Sequence, residues 1–258
     1  MEQDMDFSGK VVLVTGASRG IGAAIARAFA GQGATVVVNY LRNAQAADEV
    51  VQACRATGDA VALQADVTDP EAARGLVART VDELGRLDVL VNNAFAPYSF
   101  DPERRRPFDA LEWADYLRQY EGSVGAAFHL CRAALPHLAA RADGAIVNIV
   151  SDLVEDPVVA YHDYATAKSA LVGFSRNLAA EVGPQGVRVN CVAPGLVHPT
   201  EGSAGTRPAF REAIMAATPL RRLARPEDVA GPVVFLASPW GRFVTGQVLL
   251  VDGGRVMR

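Results

Sequence analysis

Tyr164 and Lys168 stand four residues apart, and Lys168 is one of only two lysines in the chain, the other being Lys10. Every other basic residue is arginine. With six tyrosines available, a Tyr-x-x-x-Lys pair arises by chance in roughly one such chain in twenty. Arginine keeps its proton and presents a broad planar fork, whereas lysine is a compact charge on a flexible stem. A lysine in a chain that otherwise uses arginine is therefore a candidate for chemistry. The segment 161–182 (YHDYATAKSALVGFSRNLAAEV) spaces its apolar residues as a helix does. Residues four apart share a helix face, which predicts the Lys168 ammonium beside the Tyr164 phenol. A free phenol titrates near pH ~10, and a cation about 4 Å away at an effective dielectric of about 20 lowers that by up to about three units, with burial opposing. The pair is expected to exchange a proton near neutral pH.

A second chemical feature lies near the N-terminus. The apolar run Val11 to Val14 is followed by Thr15-Gly16-Ala17-Ser18-Arg19-Gly20-Ile21-Gly22 and then an alanine-rich stretch to Ala30. Strand, glycine-rich turn and helix in that order aim backbone N–H groups and a helix N-terminus at an anion, typically a pyrophosphate. The spacing is Gly-x-x-x-Gly-x-Gly rather than the commoner Gly-x-Gly-x-x-Gly.

Further motifs follow in order: Asp66-Val67, Asn92-Asn93-Ala94, Ser151 thirteen residues before Tyr164, and Asn190 through Pro194-Gly195. The C-terminal part carries Arg225-Pro226-Glu227-Asp228-Val229-Ala230, Phe235-Leu236-Ala237-Ser238, Val244-Thr245-Gly246-Gln247 and Val251-Asp252-Gly253-Gly254. Over nearly its whole length the chain resembles the short-chain dehydrogenase/reductase family, in its 3-oxoacyl-carrier-protein-reductase-like branch. The resemblance implies hydride transfer between a nicotinamide dinucleotide and a carbonyl or secondary alcohol. Tyr164 would be the proton donor, Ser151 would hold the substrate oxygen, and Lys168 would keep the tyrosine acidic and bind the nicotinamide ribose. Gly16, Ser18, Arg19, Gly20, Ile21 and Gly22 would surround the pyrophosphate. Asp66 and Val67 would meet the adenine, Asn93 and Ala94 the ribose, and Pro194, Gly195 and Val197 the nicotinamide end.

Charge bears on the choice of cofactor. After the second expected strand the sequence Asn39-Tyr40-Leu41-Arg42 has no carboxylate to bind the adenosine ribose hydroxyls. Arg19 and Arg42, beside Tyr40, could instead hold a 2′-phosphate, so NADP is expected over NAD.

Two positions depart from the family pattern. Counting back from Phe128 puts Ser123 where relatives carry an active-site asparagine that helps hold a water near the lysine. Ser123 is still expected to take part, through its carbonyl. Phe95 replaces the usual glycine after Asn92-Asn93-Ala94, and it either narrows the pocket or forms a substrate wall. Phe95, Tyr98, Phe100, His162 and His198 are expected around the pocket. The run Arg104-Arg105-Arg106 could meet an acidic carrier protein or a CoA phosphate, and a 3-oxoacyl thioester is one expected substrate among other carbonyl compounds.

These residues need a frame. Strands are expected near 10–15, 34–39, 60–65, 87–92, 145–150, 187–192 and 247–251, alternating with helices at 20–31, 44–57, 70–84, 109–139, 161–182 and 226–237. This alternation predicts a doubly wound α/β fold, with a parallel seven-stranded sheet covered on both faces, in one domain spanning 1–258. The segments 95–108 and 198–208 read as irregular, the second as a polar lid. The chain has 258 residues, half of them hydrophobic, and a net charge of −4. This gives no electrostatic footprint for nucleic acid and no membrane-spanning run. The acidic start lacks the features of a signal peptide, and Cys54, Cys131 and Cys191 are too far apart for a metal site, so a cytoplasmic protein with reduced thiols and no metal is expected. The resemblance also implies a homotetramer. The alternative function is a non-catalytic nucleotide-binding sensor or scaffold.

Overall fold

A computed structural model describes residues 5–141 and 143–257. Seven parallel strands form one sheet in the order β3-β2-β1-β4-β5-β6-β7. They are β1 (Val11–Val14), β2 (Thr35–Tyr40), β3 (Asp59–Gln64), β4 (Val89–Asn92), β5 (Ala145–Ile149), β6 (Arg188–Pro194) and β7 (Val248–Val251). The central strands are short valine-rich runs buried on both faces, as a sheet covered by crossover helices requires. Side chains alternate between two cores. Val12 and Val14 of β1 face one and Val11 and Leu13 the other.

The first core lies under α1 (Gly20–Ala30), α2 (Ala44–Cys54) and α8 (Pro226–Ala237). The second lies under α3 (Pro70–Leu84), α5 (Ala126–Ala139) and α6 (His162–Val182), with α4 (Trp113–Tyr120) packed along α6. The chain leaves β1 toward β2 on one side, and β4 lies on its other side. Strand order therefore reverses there, opening a crevice beyond the C-terminal ends of β1 and β4, the usual ligand position in such sheets.

The long helix expected over 109–139 is divided. A 3-10 turn covers Phe108–Ala110, the backbone of Leu111 and Glu112 is extended, and α4 begins where the Asp115 carboxylate accepts the Glu112 N–H at 3.0 Å. Between α4 and α5 the backbone widens into a π-turn, Glu121–Gly125. Gly122 in that turn passes so close to the chain that a Cβ would lie 2.6 Å from the Ala96 nitrogen. A helix not expected, α7 (Pro208–Ala217), follows the 198–208 segment. None of its residues is fully buried, although Phe210, Ile214 and Met215 make a half-buried side at helical spacing. Among the described residues no helix is long and apolar enough to cross a membrane, and no His/Cys/Asp/Glu group could hold a metal ion.

Candidate active site

The glycine-rich turn is fastened to the end of β4. Thr15 Oγ1 accepts the N–H groups of Asn93 and Ala94, each at 3.0 Å, and Asn93 Nδ2 donates to the carbonyls of Thr15 at 2.8 Å and Gly16 at 3.2 Å. Gly16 and Gly20 have φ of +60° and +54°, the left-handed region that glycine enters without strain. A Cβ on Gly22 would lie 2.5 Å from the Gly16 carbonyl oxygen. The turn thus leads into the N-terminus of α1, where Arg19 makes no side-chain cap. Uncapped N–H groups at a helix start, reached through a backbone that only glycine permits, suit a pyrophosphate. Ser18 and Ile21 are half-buried in this turn.

The residues expected for the adenosine end stand along the same crevice. Tyr40 ends β2, and Arg42 is exposed just beyond it. Asp66 Oδ1 accepts from the Thr68 N–H at 3.0 Å and its hydroxyl at 2.6 Å, while Val67 is buried. Pro194 ends β6, the Gly195 N–H donates to the Val251 carbonyl at 3.1 Å, and Val197 bridges to Ala224.

Ser151, Tyr164 and Lys168 are all buried where β5 meets α6. Ser151 lies just past the end of β5, and its hydroxyl donates to Asp152 Oδ1 at 3.4 Å. It also accepts the Leu153 N–H at 3.3 Å. Lys168 Nζ donates to the Ile149 carbonyl at 2.8 Å and lies 5.7 Å from the centre of the Tyr164 ring.

The expected acidification of Tyr164 by Lys168 is not what this arrangement gives. Burial dominates and pushes the phenol above its ordinary range, with the nearby Ser151 hydroxyl opposing and the Asp152 carboxylate adding to the rise. Burial likewise pushes the Lys168 ammonium down to about 8. The spacing of four does put both residues on one face, but the lysine stem carries its charge to a backbone carbonyl of β5 rather than to the phenol oxygen.

Aromatic rings enclose Tyr164. The centres of Tyr98 and Phe100 each lie 5.1 Å from that of Tyr164, and Phe95 lies 5.9 Å away. Tyr161 packs against Tyr98 and Phe100. Phe95 also places its ring centre 5.1 Å from Lys168 Nζ, so it forms a wall directly over the pair. The 95–108 segment is held by Tyr98 Oη donating to Asp163 at 3.0 Å and by Phe100, whose N–H donates to the Gly202 carbonyl at 3.1 Å. Thr206 Oγ1 donates to the Phe100 carbonyl at 2.8 Å, so the two irregular segments close on each other. Glu201 in the second segment pairs with Arg19 of the glycine turn at 2.7 Å.

The two expected pocket histidines do not join these rings. His162 packs on Phe108, while His198 contacts Ser203 at 3.1 Å and Arg211 at 2.7 Å, which ties the lid to α7. Two arginines of the 104–106 run are engaged locally, Arg104 with Asp101 at 3.6 Å and Arg106 with Asp115 at 2.5 Å. Ser123 is buried in the π-turn, and its hydroxyl has no hydrogen-bond partner among the described residues.

Sequence reading missed several supports. Arg255 grips Asp152, the residue after Ser151, at 2.6 Å. Asn92 donates to Asn148 at 2.8 Å and Asn148 to Ser175 at 2.7 Å, linking β4, β5 and α6 below the site. The adjacency of Asp152 to Ser151 and an arginine just after Gly253-Gly254 were the available signals.

Known proteins resemble this chain over nearly its whole length. Residues 16–255 match the family model described as enoyl-(acyl carrier protein) reductase. An uncharacterized oxidoreductase of Methylorubrum extorquens is 44% identical over 252 residues, covering 96% of this chain and 98% of the relative. A cis-4-hydroxycyclohexanecarboxylate dehydrogenase of Sinomonas cyclohexanicum is 39% identical over 249 residues, covering 96% and 97%. The solved structure of a 7α-hydroxysteroid dehydrogenase, complexed with NADH and 7-oxo glycochenodeoxycholic acid, superposes with a TM-score of 0.89 at 35% identity and covers 99% of this chain and 97% of its own.

Proposed function

The chain belongs to the short-chain dehydrogenase/reductase family and is an NAD(P)-dependent oxidoreductase acting on carbonyls and secondary alcohols; we propose that it uses NADP(H) and that its substrate is a ring-bearing ketone or the matching alcohol. The observation that carries the reading is the burial of Ser151, Tyr164 and Lys168 together beside the glycine turn.

When bound, reduced nicotinamide supplies the hydride to the carbonyl carbon. Tyr164 Oη gives its proton to the carbonyl oxygen, and Ser151 Oγ donates a hydrogen bond that fixes that oxygen. A phenol kept protonated by burial suits the donor role in reduction. Lys168 is held against β5 for the cofactor's ribose hydroxyls. The turn from Gly16 to Gly22 receives the pyrophosphate, with Asp66, Val67, Asn93 and Ala94 toward the adenosine half and Pro194, Gly195 and Val197 toward the nicotinamide. The absence of a carboxylate from Asn39 to Arg42, with Arg19 and Arg42 at hand, supports the 2′-phosphate.

The rings of Phe95, Tyr98, Phe100 and Tyr161 support a flat, apolar substrate. A carrier-protein thioester has less support, since Arg104 and Arg106 are already paired. Trp113, Leu117, Tyr120 and Phe128 are exposed along α4 and α5 and support a homotetramer. Three buried free cysteines are compatible with the cytoplasm. The test is NADPH consumption over a panel of 4-oxocyclohexanecarboxylate, a 7-oxo bile acid and a 3-oxoacyl thioester. Turnover on a cyclic ketone that falls by about 10²–10⁴ in Tyr164→Phe supports the reading. NADPH bound with no turnover on any of them counts against it.

A further inference from the structure

Tyr164 and Ser151 must both reach a substrate oxygen if they act on a carbonyl, yet they are only 6% and 7% exposed. The chain's own segment 95–100 packs over Tyr164. The ring centres of Tyr98 and Phe100 each stand 5.1 Å from that of Tyr164, the first tilted by 33° and the second edge-on at 80°. Phe95 adds a third ring at 5.9 Å. Tyr161 contacts the same two rings, Tyr98 at 5.5 Å and Phe100 at 5.7 Å. Tyr98 and Phe100 thus take up aromatic contacts that a flat substrate beside Tyr164 would make.

This cover is held by other segments rather than by its own backbone. Residues 93–107 form neither helix nor strand. Tyr98 Oη donates to the Asp163 carboxylate at 3.0 Å, the Phe100 N–H to the Gly202 carbonyl at 3.1 Å, and Thr206 Oγ1 to the Phe100 carbonyl at 2.8 Å. Gly202 permits the fit, since a Cβ there would lie 3.1 Å from the Phe100 ring. A segment fixed by a few such contacts opens locally at a fraction of the global unfolding free energy. Because Phe100 is bonded to the lid through both its N–H and its carbonyl, the cover and the lid part together.

We propose that Tyr98 and Phe100 form an internal plug over Tyr164, latched by the Tyr98–Asp163 hydrogen bond, and that a ring-bearing ketone displaces it by taking over its aromatic contacts. The choice of substrate rests on the reductase reading above; the plug itself does not. A ligand that binds only the open state has its affinity reduced by the fraction of protein that is open. A flat ring entering beside Tyr164 regains stacked or edge-on contacts with the parted rings. A linear acyl chain has no π face and opens the plug without that compensation. The plug therefore selects cyclic over linear ketones.

The first test needs no turnover. Ser151→Cys puts a reporter thiol in the buried site, and its labelling by a small thiol reagent is followed peptide by peptide by mass spectrometry. In the otherwise native chain it is expected to react as slowly as the buried Cys54, Cys131 and Cys191. Adding Tyr98→Phe, which keeps the ring and loses the latch, is expected to speed labelling about tenfold. Adding Phe100→Ala instead is expected to speed it at least as much. A reporter that reacts like an exposed thiol from the start, or at a rate that neither variant changes, overturns the plug. Faster labelling of the three native cysteines as well marks loosening of the whole fold and also counts against it. In kinetics, Phe100→Ala is expected to lower KM for a linear 3-oxoacyl thioester about tenfold and not for 4-oxocyclohexanecarboxylate. An equal change for both removes the selection of rings. If the wild type reduces none of the panel, the reductase reading suffers, and the labelling still decides the plug.

Discussion

Arg255 closes on Asp152 from 103 residues away, with its Nη2 at 2.6 Å and Nε at 3.1 Å from one carboxylate oxygen and both side chains buried. A second contact reaches Asp156 at 3.2 Å. The C-terminal arm thereby holds both ends of the turn that follows Ser151. Burial raises the Asp152 pKa, and Arg255 opposes that rise by favouring the charged form.

Removing the arginine leaves that carboxylate buried and unpaired. Arg255→Met is expected to destabilise the protein by about 3–5 kcal/mol, measured by reversible urea unfolding. It is also expected to lower kcat more than it weakens NADPH binding, because the freed turn carries Ser151 and not the glycine loop. A variant as stable as the wild type would show that the pair contributes nothing net.

Arg19 and Glu201 form a different kind of pair, exposed and between the glycine turn and the lid. A 2′-phosphate would compete with Glu201 for the same guanidinium. Glu201→Gln is expected to tighten NADPH binding by up to about fivefold and to leave NADH unchanged, with the effect shrinking in high salt. Arg19→Ala is expected to weaken NADPH more than NADH. Fluorescence titration with both cofactors reads these changes, and equal shifts for the two would assign Arg19 to the pyrophosphate instead.

The frame of this site was legible in the sequence because its signals are local. Val11 to Val14 and Val36 to Val38 read as buried strands, and the turn from Gly16 to Gly22 needs glycines that a strand-to-helix reading explains. Tyr164 and Lys168 fall on one helix face by counting. What counting could not give is where a flexible side chain ends. Lys168 reaches the Ile149 backbone, which no residue type announces. Tyr98 meets Asp163 across 65 residues, and it lies in an irregular segment with no periodicity to place its rings. The π-turn at Glu121–Gly125 was hidden for a related reason, since its five residues carry one large apolar side chain, Val124, which shows no period of its own.

Phe95 packs against both Tyr164 and Lys168. An aromatic contact of this kind contributes about 0.5–1.5 kcal/mol beyond its buried area. Phe95→Ala is expected to raise KM for cyclic ketones by up to about tenfold and to change KM for a linear 3-oxoacyl thioester much less. Steady-state kinetics on 4-oxocyclohexanecarboxylate and on the thioester compare the two. A larger effect on the thioester would turn the substrate reading toward acyl chains.

Lys168 also makes stability depend on pH in a predictable direction. The unfolded chain keeps its lysine proton up to the ordinary 10.5, whereas in the folded protein burial brings the value down to about 8. Between those limits the unfolded state binds more protons, so the Lys168 contribution to stability rises with pH. Below about 8 the folded protein carries the full cost of a buried ammonium, and the cost is relieved as pH climbs toward 10.5. Two and a half units correspond to about 3 kcal/mol. Buried Cys131, Cys191 and Tyr164 have raised values and act in the opposite sense, so the measurement compares the wild type with Lys168→Met, in which those groups are retained. The stability of the wild type relative to the variant is expected to increase from pH 7 to pH 10, followed by urea unfolding at each pH. A difference that stays flat over that range would mean that Lys168 holds its proton in the folded protein, solvated better than its protein contacts alone allow.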